Sequence, residues 1–574
     1  MKELKGYQSM DVVIVTHNSE KWIERCIQSL YASKNREELN IYMVDNSSSD
    51  NTVCLLRECK NKRLFNNLEI IEEPRNRGFG AANNIGALAG EDEIICFINI
   101  DTEVFEDTFS ILKNRIAGSA ADVAAWEFRQ LPYEHPKLYN PVTSETSWMS
   151  GAAFAIRRTV FQQIGGFDEK IFMYAEDVDL SWRLRAAGYR LRYCPDVWIR
   201  HYSYLNENEV KPTQYVNSLI NNLLLRQRYG TFREKVKGYV GFLKVLAFYK
   251  PPYSGAKKEL WKGFCGHISK ISSFQDTALR KAKVAKFLGW DYEIIRDGAF
   301  VKCEKTKPDF HPLVSIIVRT CQRPEVLRET LISIKNQTYD NIEIIVVEDG
   351  EACAEQLIKQ EFATENIHYF STGNKVGRSK AGNLGLEKAR GEYLNFLDDD
   401  DLFFADHVET LVNALAETKN LAAYAFGFET PVIVVDKNPY KYQVKGYNKR
   451  YRKLFDEVEL CYHNLIPIQC IMFSKQLYKE LGGFDTSLEY LEDWDLWVRY
   501  AQKTRYSCVE KTTSIYRVPF EQNIQKDRQK KLDDALSVVR KKHESYYIPV
   551  SAARLAIYGK KESGKRICSC KYNR

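Results

Sequence analysis

Two similar stretches decide the fold, VVIVTHNSEKWIERCIQSL at residues 12–30 and VSIIVRTCQRPEVLRETLISI at residues 314–334. Each begins with apolar, mostly β-branched residues, passes through a polar turn, and continues with apolar residues at helical spacing. Each therefore predicts a β-strand that leads into an α-helix. Thr16 and Thr320 hold the same place in the two stretches, at an offset of 304 residues. The sequence thus repeats itself, as tandem copies of one domain do.

Four further blocks recur in the same order along the chain. The pairs are LNIYMVDNSSSD (39–50) with IEIIVVEDGEAC (342–353), EEPRNRGFGAANNIGALA (72–89) with STGNKVGRSKAGNLGLEKA (371–389), EIICFINID (93–101) with EYLNFLDDDD (392–401), and IGGFDEKIFMYAEDVDLSWRL (164–184) with LGGFDTSLEYLEDWDLWVR (481–499). We pair Asp45 with Asp349, again 304 residues apart. The offset drifts in later blocks, as loop insertions would produce. An ordered set of five blocks predicts two copies of one domain.

The repeats predict four regions along the chain. These are a first domain at 1–210, a helical extension and connector at 211–310, a second domain at 311–524, and a C-terminal helix and basic tail at 525–574. The segment QYVNSLINNLLLRQRYG (214–230) is typical of a helix, and an amphipathic stretch follows at 283–298. We expect helices that pack on the first domain, followed by a short connector at 305–308.

Composition limits the class of protein. Hydrophobic residues make up 44% of the 574 residues and charged residues 28%, as in a soluble globular protein. The net charge of +7 is modest, and no dense basic block predicts nucleic-acid binding. The fourteen cysteines are scattered and form no CxxC pair, which favours reduced thiols and a cytoplasmic protein. Cys568 and Cys570 lie in the basic tail, where a flexible terminus is the simpler interpretation.

The sequence predicts neither a signal peptide nor a membrane-spanning helix, because a polar leader runs directly into the first strand and no apolar run is long enough. The segment VKGYVGFLKVLAFYKPPY (236–253) is basic and aromatic. It suits a helix that lies on the cytoplasmic face of a membrane, and a core helix with snorkelling lysines explains it nearly as well.

Strands that alternate with helices predict a largely parallel sheet covered on both faces. Ligands bind such sheets at the carboxyl ends of the strands. Thr16, Asp45 and Asp101 each end an apolar stretch. An Asp there can also serve as a turn or helix-cap residue, but three strand ends repeated in both copies favour a binding site.

Both copies resemble the GT-A-fold family 2 glycosyltransferases, which transfer sugars from nucleotide diphosphates to polysaccharide or glycolipid acceptors. The first copy resembles rhamnosyltransferase-like members through NRGFGAANNIG, INID and GGFDE…EDVDLSWRLRAAGY. The second resembles other members through FLDDDD and GGFD…LEDWDLWVR. The resemblance implies two tandem GT-A domains of the α/β class, Rossmann-like with a mainly parallel sheet, joined by helical segments.

The resemblance implies a Mg²⁺ or Mn²⁺ ion at a D-x-D motif, where it would stabilise the leaving diphosphate. In the second copy Asp398 and Asp400 would hold the ion, with Asp399 between them on the nucleotide side. In the first copy Asn99 and Asp101 would do so, although Asn99 lacks the charge of an Asp. His201 is a candidate third ligand, and a structural histidine is about equally plausible.

The resemblance also implies a donor site for a UDP- or dTDP-sugar. Asp45 and Asp349 would accept a hydrogen bond from the pyrimidine N3–H, with Thr16 and Thr320 beside the base. The glycine-rich blocks resemble a phosphate loop ahead of a helix N-terminus. The loop residues assigned to the donor are Asn76, Gly78, Asn84, Asn374, Gly377, Arg378 and Asn383.

An inverting transfer needs a base for the acceptor hydroxyl. The resemblance implies that Asp177 and Asp493 are these bases and that Glu176 and Glu492 contact the acceptor or tune the base. The acidic first turn of a helix is the simpler alternative. The pairs Asp179/Arg183 and Asp495/Arg499, four residues apart, predict structural ion pairs. Residues 463–469 and their counterparts at 148–149 are expected to line the acceptor pockets.

The leading hypothesis is a bifunctional glycosyltransferase whose partners are a nucleotide-sugar donor and a saccharide or lipid-linked saccharide acceptor. One alternative is a single active domain plus a degenerate copy, with Asn99 marking the first copy as the degenerate one. A sugar nucleotidyltransferase should open with a Gly-rich, basic loop after its first strand, which neither copy has. A carbohydrate-binding protein would have no reason to repeat the acidic motifs in order.

Overall fold

The structure is a computed structural model that describes residues 9–202, 209–303, 310–437 and 439–552. It divides into two units, Met1–Glu304 and Lys305–Arg574, each with its own internal contacts. The connector expected at 305–308 and the cysteines Cys568 and Cys570 lie outside the described residues.

The first unit alternates strands and helices before a helical extension. Its strands are β1 Met10–Thr16, β2 Leu39–Asp45, β3 Asn67–Glu72, β4 Ile94–Ile98, β5 Thr102–Val104, β6 Val123–Leu131, β7 Ala153–Arg157 and β8 Arg190–His201. Its helices are α1 Glu20–Tyr31, α2 Thr52–Asn61, α3 Phe79–Ala89, α4 Thr108–Ala117, α5 Arg158–Gln163, α6 Glu176–Ala186, α7 Pro212–Tyr229, α8 Phe232–Phe248, α9 Ala256–Lys270 and α10 Thr277–Lys281.

The second unit repeats this order and ends in one long helix. Its strands are β9 Val314–Thr320, β10 Ile342–Glu348, β11 Ile367–Ser371, β12 Tyr393–Asp398, β13 Leu402–Phe403, β14 Ala422–Lys437, β15 Tyr440–Val444, β16 Ile471–Ser474 and β17 Tyr506–Pro519. Its helices are α11 Pro324–Lys335, α12 Glu355–Glu361, α13 Arg378–Lys388, α14 His407–Glu417, α15 Glu457–Tyr462, α16 Lys475–Leu481, α17 Glu492–Ala501 and α18 Gln522–His543.

The two sheets have the same strand order. In the first unit it is β3-β2-β1-β4-β7-β6-β8-β5, and in the second β11-β10-β9-β12-β16-β14-β17-β13, with β15 paired to β14. The first four strands of each order are parallel, while β7 and β16 run antiparallel to both neighbours. The chain departs in opposite directions from β1 and β4, which opens a crevice at their carboxyl ends. The fold confirms the expected pair of mainly parallel α/β domains.

Burial on both faces explains the apolar strands. In β1, Val12 and Ile14 belong to one core cluster, and Val13, which points the other way, belongs to a second. In β9, Ile316 and Ile317 divide between two clusters in the same manner. A strand buried on both faces has no polar side, so its sequence is a continuous apolar run rather than an alternating one.

The strand register corrects one pairing made from the sequence. Thr16 of β1 lies opposite Asp45, but Thr320 of β9 lies opposite Glu348. The residues that follow agree, since the backbone N–H of Asn46 donates to Thr16 and that of Asp349 donates to Thr320. Asp45 therefore corresponds to Glu348, and Asp349 corresponds to Asn46. The chain from β9 to β10 is one residue shorter than that from β1 to β2. Because Glu348 and Asp349 are both acidic, the sequence does not show which of them corresponds to Asp45.

The helix after the last strand docks in the same way in both units. Arg228 of α7 makes 2.6 Å contacts with both Asp168 and Asp179. Lys542 of α18 bridges the corresponding pair, Asp485 and Asp495, at 2.7 and 2.8 Å. Through Arg228, α7 packs on the first domain. The amphipathic stretch at 283–298 is irregular rather than helical. None of the described helices is long and apolar enough to cross a membrane.

Candidate functional site

Asp45 ends β2 in a cluster of hydroxyl groups. The hydroxyls of Thr16 and Ser48 donate to Asp45 Oδ1 at 2.9 and 2.6 Å, and the backbone N–H of Ser48 donates to Oδ2 at 2.9 Å. Both Thr16 and Asp45 are buried. A carboxylate can accept about four hydrogen bonds, so Oδ2 keeps a lone pair that none of the described residues uses. This leaves Asp45 able to receive one more donor at the strand end.

Asn46, which the sequence analysis did not single out, organises the loop before α3. Its amide donates to Asn76 Oδ1 and to the carbonyl of Gly78, and it accepts from the Arg77 N–H at 2.8 Å. Asn76 Oδ1 in turn accepts from the Gly78 N–H at 2.9 Å. In the second unit Asp349 has this role and accepts from the N–H groups of Val376 and Gly377. Asp349 thus holds the loop of the second unit as Asn46 holds that of the first, and Asp45 is the residue before Asn46.

The glycines Gly78 and Gly377 cap α3 and α13 with φ of +88° and +93°. Few L-residues adopt such a backbone. A Cβ on Gly78 would also lie 2.3 Å from the carbonyl oxygen of Phe172. Asn374 is exposed in its loop. It lies three residues before Gly377, whereas Asn76 lies two residues before Gly78, so the two asparagines do not hold the same position.

Asn84 and Asn383 are engaged by the protein itself. The amide of Asn84 donates to the carbonyl of Phe167 and accepts from its N–H, both at 2.9 Å. Asn383 makes the same two bonds to Phe484, at 2.9 and 2.7 Å. These side chains therefore fasten the GGFD loop to the helix, which departs from the donor-binding role expected of them.

The two acidic pairs begin α6 and α17 after residues in left-handed conformations, Ala175 at φ +70° and Leu491 at φ +62°. Burial raises the pKa of Asp177, and burial together with the charge of Asp177 raises the pKa of Glu176 well above its usual value. Asp177 Oδ2 accepts from the Gly151 N–H at 2.8 Å. Carboxyl groups with raised pKa values in a cleft are suited to proton transfer.

A chain of contacts links the acidic pair of the first unit to its metal motif. Ser150, next to Gly151, accepts a hydrogen bond from the Gln130 amide at 3.0 Å. Gln130 Oε1 lies 2.8 Å from His201 Nδ1, which fixes the proton on that nitrogen. His201 Nε2 then faces Asp101 Oδ1 at 3.4 Å. Asp177 and Asp101 therefore belong to one connected site.

The first unit fits a hard divalent ion. Two ligands at right angles on Mg²⁺, each about 2.1 Å away, are about 3.0 Å apart, close to the 3.4 Å between His201 Nε2 and Asp101 Oδ1. Asn99 Oδ1 and Glu176 Oε2 are buried and have no hydrogen-bond partner among the described residues. Burial opposes ionisation of Asp101, but a His201 protonated on both nitrogens outweighs it through a hydrogen bond and its charge and lowers the pKa of Asp101; Nε2 becomes available to an ion once that second proton leaves.

No set of three or more His, Cys, Asp or Glu side chains in the described part of the chain could enclose a metal. Mg²⁺ is commonly held by one or two carboxylates and completed by substrate phosphates. Asp101, His201 and the amide oxygen of Asn99 fit that partial donor set.

The acidic run of the second unit is already paired with arginines. Arg319 contacts both carboxylate oxygens of Asp398, at 2.8 and 2.9 Å, and Glu492 at 3.1 Å. Burial opposes ionisation of Asp398, yet Arg319 holds the pKa of Asp398 below its usual value. Arg323 pairs with Asp399 and, at 3.2 Å, with Asp400. The expected metal carboxylates of this unit thus face guanidinium groups.

Thr320 also differs from its counterpart. Its hydroxyl donates to Asp399 Oδ2 at 2.7 Å, whereas Thr16 donates to Asp45. Burial and the charge of Asp400 raise the pKa of Asp399 to about 7. The position that corresponds to Asp399 in the first unit is Ile100, so this buried acid is specific to the second unit.

Asp493 is a half-buried acid held by a side-chain amide. Its Oδ2 accepts from Asn464 Nδ2 at 2.8 Å, and its Oδ1 accepts from the Trp494 N–H at 2.8 Å. Burial and the charge of Glu492 raise the pKa of Asp493 to about 6. Arg319 contacts both Asp398 and Glu492, so the D-x-D motif and the acidic pair share one site here too.

The ion pairs expected on the helices after the acidic pairs are confirmed. Arg183 lies 2.8 Å from Asp179, and Arg499 lies 3.1 Å from Asp495. Gln130 was missed because a single Gln on a strand carries no sequence signal. Arg319 could have been noticed, since a charged residue at the end of an otherwise apolar strand needs a partner.

Comparisons with known proteins identify the family of the chain. The family model described as "Glycosyl transferase family 2" matches residues 11–179 and 315–482, more than half of the chain. The model described as "Glycosyltransferase like family 2" matches residues 140–230.

Curated relatives and solved structures cover parts of the chain. An uncharacterized glycosyltransferase of Rickettsia typhi is 34% identical over 195 residues, which span 33% of this chain and only 59% of that protein. One from Methanocaldococcus jannaschii is 27% identical over 221 residues, 37% of this chain and 73% of that protein. A Pyrobaculum calidifontis mannosyltransferase solved with GDP-Man and Mn²⁺ is 20% identical, covers 50% of this chain and 78% of its own, and has a TM-score of 0.32.

Proposed function

The chain belongs to glycosyl transferase family 2, and on that premise we propose that each of its units transfers a sugar from a UDP- or dTDP-linked donor to a polysaccharide or lipid-linked oligosaccharide. The sugars would be hexoses or deoxyhexoses, with a rhamnose-like sugar suited to the first unit. The observation that carries the proposal is the link between the acidic pair and the metal motif. It runs through Ser150, Gln130 and His201 in the first unit and through Arg319 in the second.

Asp45 supports a pyrimidine donor in the first unit. A carboxylate with an unused lone pair at a strand end suits the N3–H of uracil or thymine, which only donates. Thr16 and Ser48 hold that carboxylate in place, so it does not need to reorganise when the base arrives. In the second unit Asp349, the sequence-based candidate, already accepts from the Val376 and Gly377 N–H groups, and its remaining lone pairs would serve the base.

The donor diphosphate would lie between the start of α3 and the metal motif. Asn99, Asp101 and His201 would hold Mg²⁺ or Mn²⁺ in the first unit. A bound ion there supplies positive charge to the leaving diphosphate. Gln130 keeps the Nε2 lone pair of His201 directed at the Asp101 side.

Asp177 would act as the base of the first unit and Asp493 as that of the second. The acceptor hydroxyl loses its proton to the carboxylate while its oxygen forms a bond to the anomeric carbon. The bond from that carbon to the diphosphate oxygen breaks, and the nucleoside diphosphate leaves with the electron pair. Attack from the face opposite the leaving group inverts the configuration.

A donor screen tests this proposal. The full chain is incubated with single UDP-, dTDP- and GDP-linked sugars and a mixture of saccharide and lipid-linked saccharide acceptors, with Mn²⁺ or with EDTA, and released nucleoside diphosphate is measured. We expect release from at least one UDP- or dTDP-sugar, and a loss of about 10²-fold or more when Asp177 and Asp493 are both changed to Asn. Release only from GDP-sugars would contradict the pyrimidine assignment, and no release from any donor would contradict transferase activity.

We also propose that the helices α8 and α9 place the first unit on an anionic membrane surface. Residues 232–270 contain nine Lys or Arg and two Glu, a net charge of +7 that equals that of the whole chain. The exposed apolar side chains of α8 recur every three or four residues along one face: Phe232, Val236, Val240 and Leu243. On α9, Trp261 and Ile268 are 56% and 55% exposed. Apolar stripes beside lysines are typical of interfacial helices.

Vesicle co-sedimentation tests the membrane proposal. We expect binding to vesicles that contain phosphatidylserine and little binding to pure phosphatidylcholine, because the attraction to anionic lipid is about 1 kcal/mol per cation. Changing Val236, Val240 and Leu243 to Ser should abolish it. Changing Lys530 and Lys541, exposed on α18, to Ser is the matched control and should have little effect. Failure to bind, or a dimer that the Ser changes dissociate, would contradict the proposal.

A further inference from the structure

Three arginines of the second unit stand where the first unit has uncharged residues. Arg319 precedes Thr320 as Val15 precedes Thr16. Arg323 caps α11 where Ser19 caps α1, and Arg378 follows the capping Gly377 where Phe79 follows Gly78. We call Arg319, Arg323 and Arg378 the guanidinium cluster.

The position of His201, the third candidate metal ligand, also differs between the units. In the first unit Arg200 pairs with Glu103, two residues after Asp101, and His201 comes next. In the second unit Ile515 pairs with Leu402, two residues after Asp400, and Tyr516 comes next. The second unit therefore has three cations that the first lacks, and a tyrosine in place of the imidazole.

The donor set of the second unit does not fit a divalent ion. Arg319 takes both oxygens of Asp398, and Arg323 takes Asp399 and Asp400. A guanidinium has no lone pair for a metal and does not lose its charge in a protein. An ion at Asp398 would have to displace Arg319 or lie against its positive charge. The first unit, with Val15 and Ser19 in place of these arginines, has no such obstacle.

The guanidinium cluster itself suits a diphosphate. Arg319 is buried and anchored between Asp398 and Glu492. Arg323 and Arg378 have side chains that are 47% and 53% exposed, so donor groups remain within reach of a ligand. Planar guanidinium groups bind phosphate oxygens through paired hydrogen bonds. The positive charge that a metal would supply is thus already built into the chain.

We propose that the second unit holds the diphosphate of its donor through Arg378 and Arg323, with the anchored Arg319 against the backbone of Arg378, and takes no divalent ion at Asp398 and Asp400. The inference rests on the proposed function of that unit. The first unit would depend on the ion, and the second would not.

Mn²⁺ binding gives a readout independent of catalysis. Electron paramagnetic resonance counts the bound Mn²⁺ of the full chain in the presence of UDP, or of whichever nucleoside diphosphate the donor screen identifies. We expect one ion per chain, lost in Asp101→Asn and retained in Asp400→Asn. Asp400 is partly exposed, so its replacement should leave the fold intact. Two ions per chain, one of them lost in Asp400→Asn, would overturn the proposal.

Nucleotide binding in EDTA tests the guanidinium cluster directly. Calorimetry should show one nucleotide-binding site that survives metal removal, with Arg378→Phe weakening it on the order of tenfold through loss of a charged hydrogen bond. Lys380→Ser removes a charge from the same turn of α13, where Lys380 lines a separate surface pocket of about 640 Å³ with Asn383 and Gly483. It should have little effect.

Equal effects of Arg378→Phe and Lys380→Ser, or loss of all nucleotide binding in EDTA, would overturn the inference. Failure of the proposed function gives a different result, in which no nucleoside diphosphate binds either with Mn²⁺ or without it.

Discussion

Asp177 and Asp493 are half-buried acids that accept one backbone N–H from the residue that follows and one further donor. That donor is the Gly151 N–H in the first unit and the Asn464 amide in the second. The same carboxylate position is thus maintained by two different contacts. At the scale of single residues, the units preserve the geometry of the acid rather than the identity of its neighbours.

The pKa of Asp493 predicts the pH dependence of the second unit. A base must be ionised, so its transfer step should fall below about pH 6, where Asp493 becomes protonated. Asn464 stabilises the ionised form, and Arg319 does the same from a distance, while Glu492 opposes it. Asn464→Ala should therefore raise the pKa and move the midpoint upward by about one pH unit.

The measurement is a pH–rate profile of the second transfer in the Asp177→Asn background. A purely structural role for Asn464 would lower the rate at every pH and leave the midpoint in place. That outcome would contradict Asp493 as the titrating base.

At the scale of helices and strands, the start of α3 depends on a glycine for two reasons, whereas that of α13 depends on it for one. Gly78 and Gly377 share a backbone conformation that costs other residues about 1–3 kcal/mol. A Cβ at Gly78 would also overlap the carbonyl of Phe172, while at Gly377 it would meet nothing within 4 Å.

We therefore expect Gly78→Ala to lower the free energy of unfolding by clearly more than the matched Gly377→Ala. Urea denaturation of the two variants, followed by the signal of each unit's own tryptophans, measures the difference. Equal losses would show that the Phe172 contact yields at little cost.

The elements themselves were predictable from sequence, and the details between them were not. Apolar runs such as residues 12–15 and 316–318 identify strands buried on both faces. The sequence wrongly pairs Asp45 with Asp349 because the chain between the first two strands is one residue shorter in the second unit. With Glu348 and Asp349 adjacent, an acid occupies both possible positions, so the sequence cannot reveal the difference. The sequence predicts that Asn84 binds the sugar donor, because it does not show that the Asn84 amide is already hydrogen-bonded to the backbone of Phe167.

At the scale of the whole molecule, our proposal exchanges the metal-binding roles that the sequence suggests for the two copies. Sequence made the first copy suspect because Asn99 replaces an Asp. No described residue pairs with Asn99 Oδ1, and Asp101 faces His201, while Asp398, Asp399 and Asp400 of the fuller acidic run contact arginines. Counting carboxylates in a motif therefore misjudges a site when the compensating cations come from a distant strand or helix.

The measurement that tests the central claim most directly is product analysis with the single variants Asp177→Asn and Asp493→Asn, using the donors that the screen identifies. If each unit carries its own base, each variant should lose a different sugar addition by about 10²-fold or more and retain the other. The two arrested products should differ in their terminal sugar or linkage. If either variant performs every addition at the wild-type rate, that unit is not catalytic, and the account of two active sites in one chain is wrong.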